Sequence, residues 1–342
     1  MCYSCGMKLH LAITRFMDSR TASGYASNTL KNNLGHLQLL ERCLPAGYEV
    51  HQVTPDKAEK AWVQILGSRK PGSAKQCLST YRMFFRWCHS RGYTKPGWVP
   101  PFDDIRTPQA KARERLRVPA SHFPALLDAA PDGRDRALLA AAITTMLRQS
   151  ELQTIRLEDV NLDDGEIIVT IHKTNDSDRM PIPRELDTEL RRWLTEYTQQ
   201  CGPLQPHWYL FPSRQQQSWG WDEDGNLEGI QGGHYGYVPT QPVVHMEQVA
   251  QRALSTLGYQ LEKGEGMHTL RRSAARALFD RLATEGYDGA LRLVQAMLHH
   301  AQSSTTEHYL GLTLDKKRRD DIIRGESMYP AWTAASKIRK VS

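Results

Sequence analysis

At 342 residues, 40% hydrophobic and 24% charged, the chain is long enough for two domains with separate cores and reads as a soluble globular protein. It has no run of about 18 apolar residues, which excludes a membrane-spanning helix, and its opening lacks the apolar stretch of a secretion signal. The net charge of +6 is uneven: residues 1–113 hold 17 Lys/Arg against 7 Asp/Glu, the remainder 27 against 31, and a basic first third on a near-neutral body is the footprint of a polyanion-binding module.

Beyond an extension of residues 1–7, the first third (8–95) predicts helices throughout. One spans about His10 to Ser19. Ser27-Asn28-Thr29 is a start signal for the next, with Leu30, Leu34, Leu37 and Leu40 at helical spacing. Thr54-Pro55-Asp56 supplies a cap, a proline for the first turn and an acid for the helix dipole; Ala58, Ala61, Trp62 and Ile65 form the apolar face behind it. A further helix starts at Ser73 and ends at Gly92. Its Leu78, Tyr81, Phe84, Phe85 and Cys88 read as core, with Lys75, Arg82, Arg86 and Arg91 between them. Lys75, Arg82 and Arg86 are therefore candidate contacts to a polyanion. Residues 96–117, holding Pro96, Pro100, Pro101 and Pro108, read as a linker, and its basic run adds Lys111 and Arg113 as candidates. The cysteines (Cys2, Cys5, Cys43, Cys77, Cys88 and Cys201) are scattered, as suits reduced thiols. Cys2 and Cys5 form a C-x-x-C with no second pair, so no metal site is expected.

The second domain, 118–325, starts near Val118. Ser121 caps a short helix carrying Leu126 and Leu127, and a long apolar helix runs from Asp135 to Met146. Leu157 to Val160 leads to a β-branched strand, Glu166 to Ile171. Thr174 to Asp178 reads as a turn, and Met180 to Ile182 as the return strand. Leu186, Leu190, Trp193, Leu194 and Tyr197 mark another helix. Residues 213–242, polar and rich in Gly, Gln and Trp, read as an inserted loop. Helices resume at His245, and the last runs from about Leu314 to Arg324, ahead of a tail at 326–342.

Arg148, Lys173, His268, Arg271, His300 and Tyr309 form a series with one coherent chemistry. Taken singly, each has an ordinary explanation: a helix-end charge, a solvated lysine, a core aromatic. Together they meet the needs of metal-free attack on a phosphodiester. Arginine forks hold the nonbridging oxygens and never deprotonate. Lysine and histidine move protons because their pKa values can be tuned. A phenol is a weak nucleophile that nearby cations help to ionise.

The segments that carry these residues resemble the tyrosine recombinase, or phage integrase, family. The pattern T-G-L-R-x-x-E-L matches Thr145 to Leu152 around Arg148, H-x-L-R matches His268 to Arg271, and L-G-H-x-x-x-x-T-T-x-x-Y matches Leu298 to Tyr309. Lys173 matches the family's hairpin lysine. Two positions depart: Met146 and His299 stand where the patterns have glycine. The resemblance covers roughly residues 8–325. It implies a mainly α protein with a small antiparallel β-sheet in the catalytic domain, and a helical, SAM-like core-binding domain, the two closing on DNA as a C-shaped clamp. It also implies roles. Tyr309 is the nucleophile, Arg148 and Arg271 hold the phosphate, and Lys173 protonates the leaving oxygen. His268 assists the proton transfer from tyrosine, His300 hydrogen-bonds the phosphate, and Glu151 supports the set.

The expected activity is site-specific recombination of double-stranded DNA bearing inverted-repeat sites, through a 3′-phosphotyrosyl intermediate and a Holliday junction, with no cofactor. A homotetramer on DNA, a free monomer or dimer, optional accessory proteins, no membrane partner, and a place in the bacterial or phage-infected cytoplasm, with the nucleoid, follow from the same resemblance. Few residues precede the first helix, so an arm-type DNA-binding domain is not expected. The charged helix after Tyr309 either docks on a neighbouring subunit or packs in cis. The rivals are a type IB topoisomerase or telomere resolvase on the same fold, and a DNA-binding protein whose catalytic site has decayed.

Overall fold

The computed structural model describes residues 6–95, 97–109, 115–171, 176–221 and 227–312, with the side chains of 216–235 left aside. The chain divides into two compact units, Met1–Arg113 and Glu114–Ser342. Among the described residues no helix is long and apolar enough to cross a membrane. Cys2, Cys5, Lys111, Arg113, Lys173, the helix expected at 314–324 and the tail at 326–342 lie outside the described residues.

The first unit packs α1 (Leu9–Ala22), α2 (Ser27–Arg42), α3 (Pro55–Ser68) and α4 (Pro71–Ser90) around one core. On α3 and α4 the expected apolar positions are the buried ones: Ala58, Ala61, Trp62 and Ile65, and Leu78, Tyr81, Phe84, Phe85 and Cys88; on α2, of the four expected, only Leu37 and Leu40 are buried, while Leu30 is half-buried and Leu34 exposed. Phe84 meets Phe16 edge to face, ring centroids 5.4 Å apart. α4 begins at Pro71, two residues ahead of the expected Ser73, because the fixed φ of proline already suits a first helical turn. It stops at Ser90, just before Gly92 turns left-handed at φ 73°.

The first half of the proline-rich segment is not a bare linker. Phe102 is fully buried and stacks on Phe85 at 5.5 Å. Arg82, expected to face a polyanion, instead ties this segment down: Nε donates to the Phe102 carbonyl at 3.1 Å, and Nη1 to Thr107 Oγ1 at 3.3 Å. A guanidinium carries five donors on a planar fork, so one side chain can hold several loop carbonyls. Arg86 is exposed but paired with Asp103 at 3.1 Å, and Lys75 is exposed at the surface beside them.

The second unit is built around α6 (Gly133–Thr145), whose Ala137 to Ile143 are all buried. A helix apolar on every side belongs at the centre of a domain. Asp132 caps it, its side chain accepting from the Asp135 N–H. Before it lies α5 (Phe123–Asp128), and after it α7 (Gln149–Thr154) and α8 (Arg184–Cys201). Between α7 and α8 sits a three-stranded antiparallel sheet in the order β1 (Val160–Asn161), β2 (Glu166–Ile171), β3 (Asp176–Pro181). Ile167, Val169 and Ile171 point into the core while Ile168 and Thr170 are exposed. β3 starts at Asp176, inside what reads as a turn, and pairs residue for residue with β2, Val169 opposite Asp178. Its charged sequence suits an edge strand, where such residues block further pairing.

Among the described residues, 213–221 and 227–242 are strands rather than the expected loop. β4 (Pro212–Trp221) and β5 (Leu227–Pro242) form an antiparallel hairpin with two register shifts. Those shifts break the strict alternation that marks a strand in sequence. The base of the hairpin is anchored on α8 and α6: Tyr237 meets Trp193 of α8 edge to face at 5.0 Å, and Nη1 of Arg134 on α6 donates to the Pro212 carbonyl at 2.7 Å. The unit closes with α9 (Met246–Thr256), α10 (Met267–Leu282), α11 (Tyr287–Met297) and α12 (Ser303–Leu310).

Candidate active site

Two left-handed turns set up the site. Met146, which ends α6, has φ 53°, and His299, just after α11, has φ 50°. Glycine adopts this region freely, whereas a Cβ costs roughly 1–2 kcal/mol there. The two places where the family patterns carry glycine are thus the two non-glycine residues with positive φ among the described residues. After α11 the His299 N–H donates to the Ala296 carbonyl at 2.9 Å and the His300 N–H to that of Gln295 at 3.1 Å, the paired bonds of a Schellman cap.

Each turn aims a carbonyl at Arg271, near the start of α10. Arg271 Nη1 donates to the Met146 carbonyl, and Nη2 donates to that of Leu298 at 2.7 Å. Arg148 Nη2 reaches the same Leu298 oxygen at 3.4 Å. Glu151 sits beneath both arginines with its side chain 1% exposed. It accepts the Arg148 backbone N–H at 2.7 Å and Arg148 Nη1 at 2.8 Å, and lies 3.8 Å from Arg271 Nη1. Burial alone would raise the pKa of this carboxyl, but the hydrogen bonds and charges of Arg148 and Arg271 outweigh it and hold the value below normal. Burial lowers the pKa of Arg271, with Tyr309 and Glu151 opposing; a guanidinium still keeps its proton.

Tyr309 lies next to the end of α12; its hydroxyl is buried beside the Arg271 guanidinium, close enough to interact with it but without a well-aligned hydrogen bond among the described residues. The Arg271 Cζ is 6.0 Å from its ring centroid. Burial raises the phenol pKa, and the positive charges of Arg271, Arg272 and Arg148 pull it down without cancelling that rise. The His300 ring packs edge to face on Tyr309, centroids 5.4 Å apart, and His300 Nδ1 is 3.1 Å from Thr306 Oγ1. His268 is exposed at the edge of a cleft of about 290 Å³ that Arg148 and Arg271 also line. Desolvation within that cleft lowers its pKa from 6.5, with Arg271 next in effect and Glu247 opposing.

The fold therefore brings Arg148, Glu151, His268, Arg271, His300 and Tyr309 together. Lys173 follows β2 and precedes β3 in the chain, outside the described residues. Three participants had no role assigned from sequence, although the third pattern includes Thr306. Arg272 adds positive charge near Tyr309 and ties Nη2 to the Leu116 carbonyl at 3.1 Å; the Arg271-Arg272 doublet is the only signal for it. Thr306 is fully buried, and its spacing of three residues before Tyr309 places it on the neighbouring helical turn. Asp178 accepts from His299 Nε2 at 2.8 Å, a contact between segments that sequence does not link.

Two guanidiniums, a near-neutral imidazole and a buried phenol can bind a tetrahedral oxyanion and attack it. The phage integrase family model matches residues 117–315, over half of the chain. Tyrosine recombinase XerC of Chromobacterium violaceum is 27% identical over 319 residues, covering 88% of this chain and 90% of its own. Tyrosine recombinase XerC of Alcanivorax borkumensis is 25% identical over 310 residues, covering 89% and 87%. The fold is similar to that of a lambda integrase dimer bound to a COC′ core site, with TM-score 0.64 and 18% identity over 89% of this chain and 77% of that one. It is also similar to the Tn1549 transposon integrase in complex with circular intermediate DNA, with TM-score 0.62 and 14% identity over 89% and 95%. Boxes, geometry and relatives agree: the chain belongs to the phage integrase family, the tyrosine recombinases.

Proposed function

We propose that this chain cuts and rejoins DNA at specific sites by transesterification through Tyr309. One observation carries the reading: Arg148 and Arg271 converge on one carbonyl and one carboxylate beside the buried Tyr309 hydroxyl. Tyr309 Oη bonds to phosphorus and the P–O5′ bond breaks, which leaves a 3′-phosphotyrosyl link and a free 5′ hydroxyl. The phenol proton passes to His268, and Lys173 gives its proton to O5′. Arg148 and Arg271 take the charge on the nonbridging oxygens, and His300, held by Thr306, donates to the phosphate. The link keeps the phosphodiester energy, so rejoining is the same step reversed.

The substrate is duplex DNA with inverted-repeat sites, on which four copies assemble and exchange strands twice through a Holliday junction. The basic first unit grips the duplex, with Lys75 and Arg86 as candidate phosphate contacts. The setting is the cytoplasm, at the nucleoid.

A duplex that the wild-type chain selects from a random pool, nicked beside the cut so that the released fragment diffuses away, tests this reading. The wild type is expected to form a denaturant-stable covalent complex and Tyr309→Phe none. A Tyr309→Phe protein that still links to DNA overturns the assignment of the nucleophile.

The pH dependence of complex formation has a definite sign. The pKa of His268 lies below 6.5, so the free enzyme keeps this imidazole neutral, and able to accept a proton, down to that lower value. The rate is expected to fall with acid about a midpoint below pH 6.5, and the midpoint should vanish in His268→Gln. A midpoint above 6.5, or one that survives His268→Gln, contradicts His268 as the acceptor.

A further inference from the structure

We infer that His299 is a positioning residue: through Asp178 it clasps the β2–β3 hairpin onto the turn that presents the active site. His299 Nε2 donates to Asp178 Oδ2 at 2.8 Å, joining residues 121 positions apart. Asp178 is fixed from its own strand, because Oδ1 accepts the Arg179 N–H at 2.9 Å. The imidazole is largely enclosed, 14% exposed, and Nδ1 is buried without a partner. Among the described residues, the clasp is therefore the imidazole's one hydrogen bond.

The backbone makes this arrangement informative. At φ 50° a glycine would hold the turn without strain, and the side chain costs conformational energy there. What the side chain adds is the tie to β3. The carbonyl immediately before it, that of Leu298, is the one both Arg148 and Arg271 grip. The clasp therefore links the phosphate-binding arginines to the hairpin strand that follows Lys173 in the chain. Its functional consequence rests on the proposed role of Lys173, which precedes β3 in the chain: loosening β3 is expected to slow proton delivery to O5′.

This can be read separately from the recombinase assignment. On the selected nicked duplex, a wild-type covalent complex upholds that assignment whatever the variants do. His299→Asn keeps a side chain that tolerates left-handed backbone but is too short to reach β3. His299→Asn and Asp178→Asn are each expected to slow complex formation about five-fold, ~1 kcal/mol at 1.4 kcal/mol per tenfold. Duplex affinity should not change, and the double variant should be no slower than either single one. Replacing the bridging O5′ by sulfur gives a leaving group that needs no proton, and on that duplex the deficit should disappear. Faster amide exchange in β3 of both variants is expected even without DNA. Additive losses, a deficit that persists on the sulfur-bridged duplex, or unchanged β3 exchange would each overturn the clasp.

Discussion

Glu151→Leu is expected to lower the stability of the second unit by about 3 kcal/mol, because it leaves two arginines without their shared counter-charge. The carboxylate is buried and accepts two hydrogen bonds from Arg148 alone. Leucine matches its volume but satisfies none of these donors. Glu151→Gln keeps an oxygen for the Arg148 N–H and should lose roughly half as much. The acid limb offers a second check. The folded pKa of Glu151 lies below its ordinary value of 4.5. Its contribution is therefore fully present above that value and lost as pH falls through the lower folded one. Urea unfolding followed from pH 7 to pH 3 measures both effects. A Glu151→Leu protein within about 1 kcal/mol of wild type, against the several expected for a broken buried pair, refutes the central role of this carboxylate.

Arg271→Lys is expected to reduce covalent-complex formation about 10²- to 10³-fold, the loss seen when one preorganised oxyanion donor is removed. The substitution keeps the charge, so the expected loss isolates geometry. Arg271 already holds the carbonyls of Met146 and Leu298 with two nitrogens of one plane. That brace points the fork, and a lysine has a single ammonium on a flexible stem. It can neutralise Glu151 or reach the phosphate, but it cannot span both turns. Single-turnover cleavage of the selected duplex is the measurement. A lysine variant within ten-fold of wild type would show that charge, not the planar brace, does the work.

Much of this site is legible in the sequence because its parts are local. Arg148 and Glu151 share one turn of chain, as do His268 and Arg271, and His300 stands just before the short helix that carries Tyr309. Spacing within one helix end is a physical constraint that sequence carries directly. The core positions of the first unit are legible for the same reason, since a 3.6-residue period selects one buried face. Arg82 misled because a basic residue between core positions reads as solvent-facing. Its donors turn instead to carbonyls about 20 residues away. The hairpin at 212–242 misled because its register shifts erase alternation, and its anchor, Tyr237 on Trp193, is a contact between distant segments.

By itself, then, the sequence determined the class of chemistry, the order of its participants and the helices that bear them, because each depends on residues close along the chain. It also carried two departures from glycine, at Met146 and His299, without their meaning. Only the tertiary structure decided that both sit in left-handed turns whose carbonyls brace Arg271. Only it decided that the imidazole of His299 reaches Asp178 across 121 residues. A backbone conformation and a long-range hydrogen bond are set by packing among segments, and no local spacing encodes which segments will meet.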